Sequence, residues 1–221
     1  MPVGTAGSII MDAASILFMG GLLIYTSLYR QRGRTDDRLY FAMVLVNMAL
    51  ALSDGVSYLA DGRAARYAGT VLILCNILFY TAFEVFPWLF LLYIDYRLFG
   101  EKERLRKLKL WTAVPGLLFL AVLLVNLKTG WLFTVGKDNI YRSGPFNSLA
   151  FVPAAFYAAL CLVRAYRIGI RVVFLGLLVI CARIGLGIWF REISSTAFTY
   201  TLFLVCAHIQ VMNRSLNEEK A

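Results

Sequence analysis

Asp54, Glu84, Arg183 and His208 are ionisable residues inside runs that are otherwise apolar. Charge inside lipid is costly, so such side chains turn toward a bundle interior or a water-filled cavity and meet a partner or a ligand there. Counting the helical rise, Asp54 and Arg183 fall about 8–11 Å below the expected outer helix ends, and Glu84 and His208 about 18–21 Å. Two layers result, each with one acid and one base. Arg183 is expected to pair with Asp54 or Glu84. Two roles fit that pairing. It either clamps helices together, or these groups form the polar floor of a ligand pocket with Tyr58, Tyr80, Trp88, Trp189 and Tyr200 as walls. His208 is the sole histidine, so it builds no multi-histidine metal site by itself. It reads as a packed, hydrogen-bonded residue or as a pH-sensitive switch. Pro87 lies one turn after Glu84 and removes a helical hydrogen bond, so a kink beside a carboxylate is a second candidate switch. Cys75, Cys161, Cys181 and Cys206 lie in apolar segments without metal or redox spacing and read as packing residues. Neither a metal nor a cofactor is expected.

The elements that must hold these residues follow from composition. Apolar residues make up 60% and charged residues 16%, with a mean hydropathy of +0.71. A soluble domain is nearer 45–50% apolar and about 25% charged. Seven runs approach the roughly 20 apolar residues of a spanning helix: 8–29, 39–59, 67–96, 110–127, 146–163, 172–190 and 197–211. The third exceeds what a bilayer needs and should tilt or protrude. The first has no basic stretch ahead of it and no small-residue cleavage site, so it reads as a retained helix. Basic residues favour one side. Arg30, Arg32, Arg34 and Arg38 follow the first run, Arg97 to Lys109 follow the third, and Arg164, Arg167 and Arg171 follow the fifth. The positive-inside rule then sets the N-terminus outside and the C-terminus inside. The net charge of +9 reads as a basic rim facing anionic lipid, with no nucleic acid implied. The expected fold is an all-α membrane protein, a seven-transmembrane helix bundle over residues 1–213, with 214–221 as a cytoplasmic stub.

Two segments outside the spans carry pattern. In "GWLFTVGKDNIYRSGP" two β-type runs, 131–135 and 140–143, flank a turn at 136–139, which predicts an outer β-hairpin between the fourth and fifth helices. Its role is either to shield helix ends or to act as a lid over a pocket lined from helices two, three, six and seven. At the end of the sequence, Ile209, Val211, Met212 and Leu216 form an apolar stripe at helical spacing. Residues 207–217 are therefore expected to continue the seventh helix, and the stripe is suited to weak homodimer pairing.

The stretches "LLYIDYRLFGEKERLRK", "VNLKTGWLFTVGKDNIYRSGPF" and "HIQVMNRSLNEE", together with the seven-helix plan, resemble the multi-pass sensor domains at the N-terminus of many Firmicute diguanylate cyclases of the GGDEF type. The resemblance implies a sensor in the bacterial cell membrane whose last helix passes signals to a cytoplasmic output domain or protein. No GGDEF-like stretch is present, so cyclase activity is not carried over. The stub then reads as the start of a transmission helix. Its partners would be membrane lipid, a small-molecule or lipid ligand from outside, and the output partner. The alternative is a small transporter, but no internal repeat or pair of broken helices supports it. A retinal protein is excluded because the last run lacks lysine. HExxH, GxSxG and paired acids at metal-ligand spacing are absent too, and no enzyme is expected.

Overall fold

The computed structural model describes residues 3–29, 34–167, 196–202 and 204–205. They form five long helices: α1 (Val3–Tyr29), α2 (Thr35–Ala60), α3 (Ala68–Phe99), α4 (Lys102–Thr129) and α5 (Phe151–Arg167). A hairpin of β1 (Phe133–Val135) and β2 (Tyr141–Ser143) and a 3-10 turn (Asn147–Ala150) connect α4 to α5. All five helical segments are long and apolar enough to cross a membrane. They coincide with the first five expected spans. The expected sixth span, 172–190, lies outside the described residues, as do Arg183, Trp189, His208 and the tail from 206.

Local chemistry sets the helix limits. Asp36 and Asp37 occupy the first turn of α2, where carboxylates complement the N-terminal dipole. α3 and α4 end at Gly100 and Gly130, each with φ 67°. Glycine adopts that left-handed turn without steric cost. Each cap amide returns to a carbonyl of its helix, Gly100 to Tyr96 (2.8 Å) and Gly130 to Asn126 (2.9 Å).

α3 is the central element and packs against α2, α4 and α5, while α1 packs on α2. Its 32 residues rise about 48 Å, more than the roughly 30 Å of hydrocarbon. Leu72, Phe83, Phe86, Phe90 and Leu91 are buried around its circumference. Outer helices show the opposite pattern. Leu17 of α1 is 77% exposed, and Trp111 and Leu118 of α4 are 79% and 64% exposed, a surface suited to lipid.

Lipid is as apolar as leucine, so packing and polar contacts hold such helices together. Asn47 of α2 provides one such contact. Its amide donates to Thr201 Oγ1 (3.0 Å) and to the Ala197 carbonyl (3.3 Å). Tyr200 stacks on Phe86 with ring centroids 4.2 Å apart. Residues 196–202 are helical and dock against α2 and α3. Asn47 sits about 18 Å from the Thr35 end of α2 by helical rise, near mid-height. Through its bond to Asn47, Ala197, the first residue of the expected seventh span, lies level with the middle of α2.

The hairpin matches its sequence signal, with Phe133 opposite Ser143 and Val135 opposite Tyr141. The turn closes through Gly136 N–H to the Ile140 carbonyl (3.0 Å) and Asn139 N–H to the Gly136 carbonyl (3.0 Å). Asn139 has φ 54°, a conformation asparagine tolerates well. Three bonds tie the hairpin tip to the α2–α3 loop. Gly62 N–H donates to the Asn139 carbonyl (2.8 Å), Asn139 Nδ2 donates to the Arg63 carbonyl (2.9 Å), and Tyr141 N–H donates to Asp61 Oδ1 (2.8 Å).

Candidate functional site: a cavity between α3, α4 and α5

Glu84 lies midway along α3, about 24 Å from Ala68 and about 22 Å from Phe99 by helical rise. It is 3% exposed. Neither carboxylate oxygen has a hydrogen-bond partner among the described residues. Glu84 lines a cavity of about 110 Å³ with Thr81 and Trp88 of α3, Gly116 and Leu117 of α4, and Tyr157 of α5. In liquid, a water occupies roughly 30 Å³, so the space admits a small head group.

Two prolines shape the walls. Pro87 interrupts α3 and Pro115 interrupts α4, each removing one ladder bond. Tyr157 meets the second break. Its hydroxyl accepts from Gly116 N–H (3.1 Å) and donates to the Thr112 carbonyl (2.8 Å), the two groups that the i→i−4 ladder of α4 would join. Gly116 makes this approach feasible, because a Cβ there would stand 3.1 Å from the Tyr157 hydroxyl. Thr112 also accepts from Trp88 Nε1–H (3.0 Å) and donates to the Leu108 carbonyl (2.7 Å). Glu84, Trp88, Thr112, Gly116 and Tyr157 thus join three helices around one cavity.

At one end of the same helices lies an ion-pair node. Asp95 of α3 is 1% exposed and meets Arg104 of α4 (3.1 Å) and Arg164 of α5 (3.0 Å). The Arg104 guanidinium lies 3.5 Å from the Phe99 ring centroid. Alongside, Asp36 of α2 pairs with Arg97 of α3 (2.9 Å) and with Arg34 (2.9 Å). Hydrogen bonding to Asp36, and then its charge, hold the Arg34 guanidinium above its ordinary pKa.

The expected site residues separate in the structure. Glu84 and Trp88 share the cavity, and Pro87 adjoins them in α3. Tyr80 is instead buried under the hairpin. Its hydroxyl donates to Asn147 Oδ1 (2.6 Å) and so accepts from the Tyr141 hydroxyl (3.1 Å). Tyr200 belongs to the aromatic stack with Phe86 and Phe83. Asp54 and Tyr58 lie on α2, partly buried, with Asp54 about 9 Å from Ala60 by helical rise and so in a different layer from Glu84. The pairing of Arg183 with either acid falls outside the described residues.

Beneath the hairpin the described residues are packed; the expected pocket, lined from helices two, three, six and seven, falls partly outside the described residues. Leu132 is fully buried and Phe133 is 3% exposed, against Tyr80, Phe119 and Leu123. Asn126 fastens this cover. Its side-chain oxygen accepts from Leu132 N–H (2.6 Å) and Phe133 N–H (3.2 Å), and its amide donates to the Phe133 carbonyl (3.1 Å). The arrangement fits the shielding role.

Sequence reasoning passed over Asp12, Asp95, Asn126 and Tyr157. Asp12 is 2% exposed in α1, with both oxygens unpartnered among the described residues, and faces Gly55 of α2. The criterion that selected Asp54, a charge within an apolar run, selects Asp12 equally. Set beside known proteins, the chain matches no family model, no curated protein and no solved structure.

Proposed function

We propose that the chain is a membrane-embedded sensor in which occupancy of the Glu84 cavity changes how α3, α4 and α5 pack. The observation that carries this reading is a buried carboxylate with no described partner, lining a cavity midway along α3. Such a site has the usual ligand-pocket form, mostly apolar with few polar groups. Pro87 and Pro115 flank it, and Asp95 ties the same three helices together at one end. A ligand acts only through its different affinity for two packings, and proline-interrupted helices offer two.

On this reading the bundle has seven spans, with the basic end in the cytoplasm of a bacterial cell and the N-terminus outside. The resemblance to sensor domains of diguanylate cyclases supplies the output step. The last helix carries the change to a cytoplasmic partner, and the stub allows homodimer pairing. Fusing a diguanylate cyclase catalytic domain after Ala221, in two linker phases half a helical turn apart, tests it. Activity that depends on phase and changes with Glu84→Gln supports transmission. Equal activity in both phases, indifferent to Glu84→Gln, leaves only a membrane anchor.

A further inference from the structure

We infer that the cavity takes the ammonium group of a single-chain amphiphilic amine, with Glu84 as its counter-charge. This rests on the sensor reading above and names its ligand class.

Among the described residues, every polar side-chain hydrogen in the wall is already committed. The Thr81 hydroxyl donates to the Ile77 carbonyl (2.8 Å), Trp88 Nε1–H to Thr112 (3.0 Å), and the Tyr157 hydroxyl to the Thr112 carbonyl (2.8 Å). Glu84 therefore has no donor among its described neighbours, so it either holds its own proton or ionises against a cation that arrives with the ligand, its proton then passing to the amine nitrogen. A cation supplies both donor and charge. An ammonium offers up to three N–H groups to two carboxylate oxygens. The Trp88 and Tyr157 rings line the same space, and aromatic rings attract cations.

Size and height narrow the class further. A volume of about 110 Å³ holds an ammonium and a few methylenes. The remaining chain must leave the cavity, and Leu117 in its wall is 62% exposed on the outer surface of α4, a lateral exit to lipid. Glu84 stands near the middle of α3, whereas phospholipid head groups sit about 15 Å away, at the edges of a roughly 30 Å core. A bilayer phospholipid does not bring its head there. A single-chain amine entering sideways does.

Matched twelve-carbon probes on the full chain in lipid nanodiscs test this: dodecylamine, dodecanol and dodecanoate, read by native mass spectrometry and by thermal stabilisation. One dodecylamine should be retained per chain, with dodecanol and dodecanoate retained far less. Glu84→Gln should weaken amine retention about ten- to hundredfold, as expected for losing a charged hydrogen bond. Leu28→Ala, at an exposed position of α1 away from the cavity, should retain the amine, and it serves as the folded reference. If Glu84→Gln fails to fold, the ranking of the three probes on the unaltered chain still decides. Equal retention of amine and alcohol, or indifference to Glu84→Gln, overturns the ammonium class and leaves the cavity as a site for another amphiphile. Retention of none of the three overturns the sensor reading of the cavity as well. Amine retention only after Arg183→Gln assigns Glu84's counter-charge to Arg183 and overturns the proposal.

Discussion

Asp95→Asn is the substitution whose cost the structure defines most closely. The carboxylate is 1% exposed and holds two guanidiniums, with Arg104 42% and Arg164 21% exposed. Asparagine keeps the volume but removes the charge. Arg104 can swing into solvent, so its share resembles an exposed pair worth at most about 1 kcal/mol. Arg164 is more enclosed, and one of its terminal nitrogens is buried without a partner among the described residues. Stripping a buried pair of one partner costs about 3–5 kcal/mol. The mixed exposure places Asp95→Asn at about 2–4 kcal/mol, between the exposed and buried limits. Unfolding in lipid nanodiscs, followed by near-ultraviolet circular dichroism, should show Tm lowered by about 4–16 °C, given about 2–4 °C per kcal/mol at this chain length. A double-mutant cycle with Arg164→Met isolates the pair. Contacting residues couple by about 0.5–3 kcal/mol, and a cycle that closes below about 0.5 kcal/mol would refute the node.

Tyr157→Phe removes the hydroxyl that bridges Gly116 and Thr112, and should cost about 1–3 kcal/mol as an unsatisfied buried group; an unchanged Tm would contradict the bridge. Gly116→Ala should destabilise by pressing on that hydroxyl, and combining it with Tyr157→Phe should cost less than the two singles summed. Asn126→Ala frees the Leu132 and Phe133 amides, so hydrogen exchange there should quicken while exchange in α2 stays slow. For orientation, Lys107→Cys and Lys137→Cys, each with the native cysteines replaced, should react with an impermeant thiol reagent from opposite faces of intact cells and spheroplasts. Labelling from one face would sink the proposed topology.

Features written in local sequence were readable in advance. The hairpin is one, because Gly136, Asp138 and Asn139 specify the turn within a few residues. The first five helices are another, because length and apolarity alone mark them. The node at Asp95 was hidden for a physical reason. Its aspartate ends an apolar run that looks complete without it, and only the fold brings Arg104 and Arg164 together. The same holds for Tyr157, whose hydroxyl matters through a break at Pro115 on another helix. Tyr80 and Tyr200 pack in aromatic clusters apart from the Glu84 cavity, a distinction the sequence hides because an aromatic residue on a spanning helix reads alike whether it lines a cavity or fills a core. Depth counting puts Asp54 and Glu84 in different layers because helical rise is fixed. It could not say which helix each residue faces.

The central claim is that filling the Glu84 cavity alters the packing of α3, α4 and α5. The most direct test is a pulsed electron-spin distance between labels at Lys107→Cys in α4 and Tyr166→Cys in α5, both exposed, with the native cysteines replaced. Recorded in nanodiscs with and without saturating dodecylamine, the distance distribution should shift, and Glu84→Gln should abolish the shift. A distribution that stays the same while native mass spectrometry shows the amine bound would contradict the account.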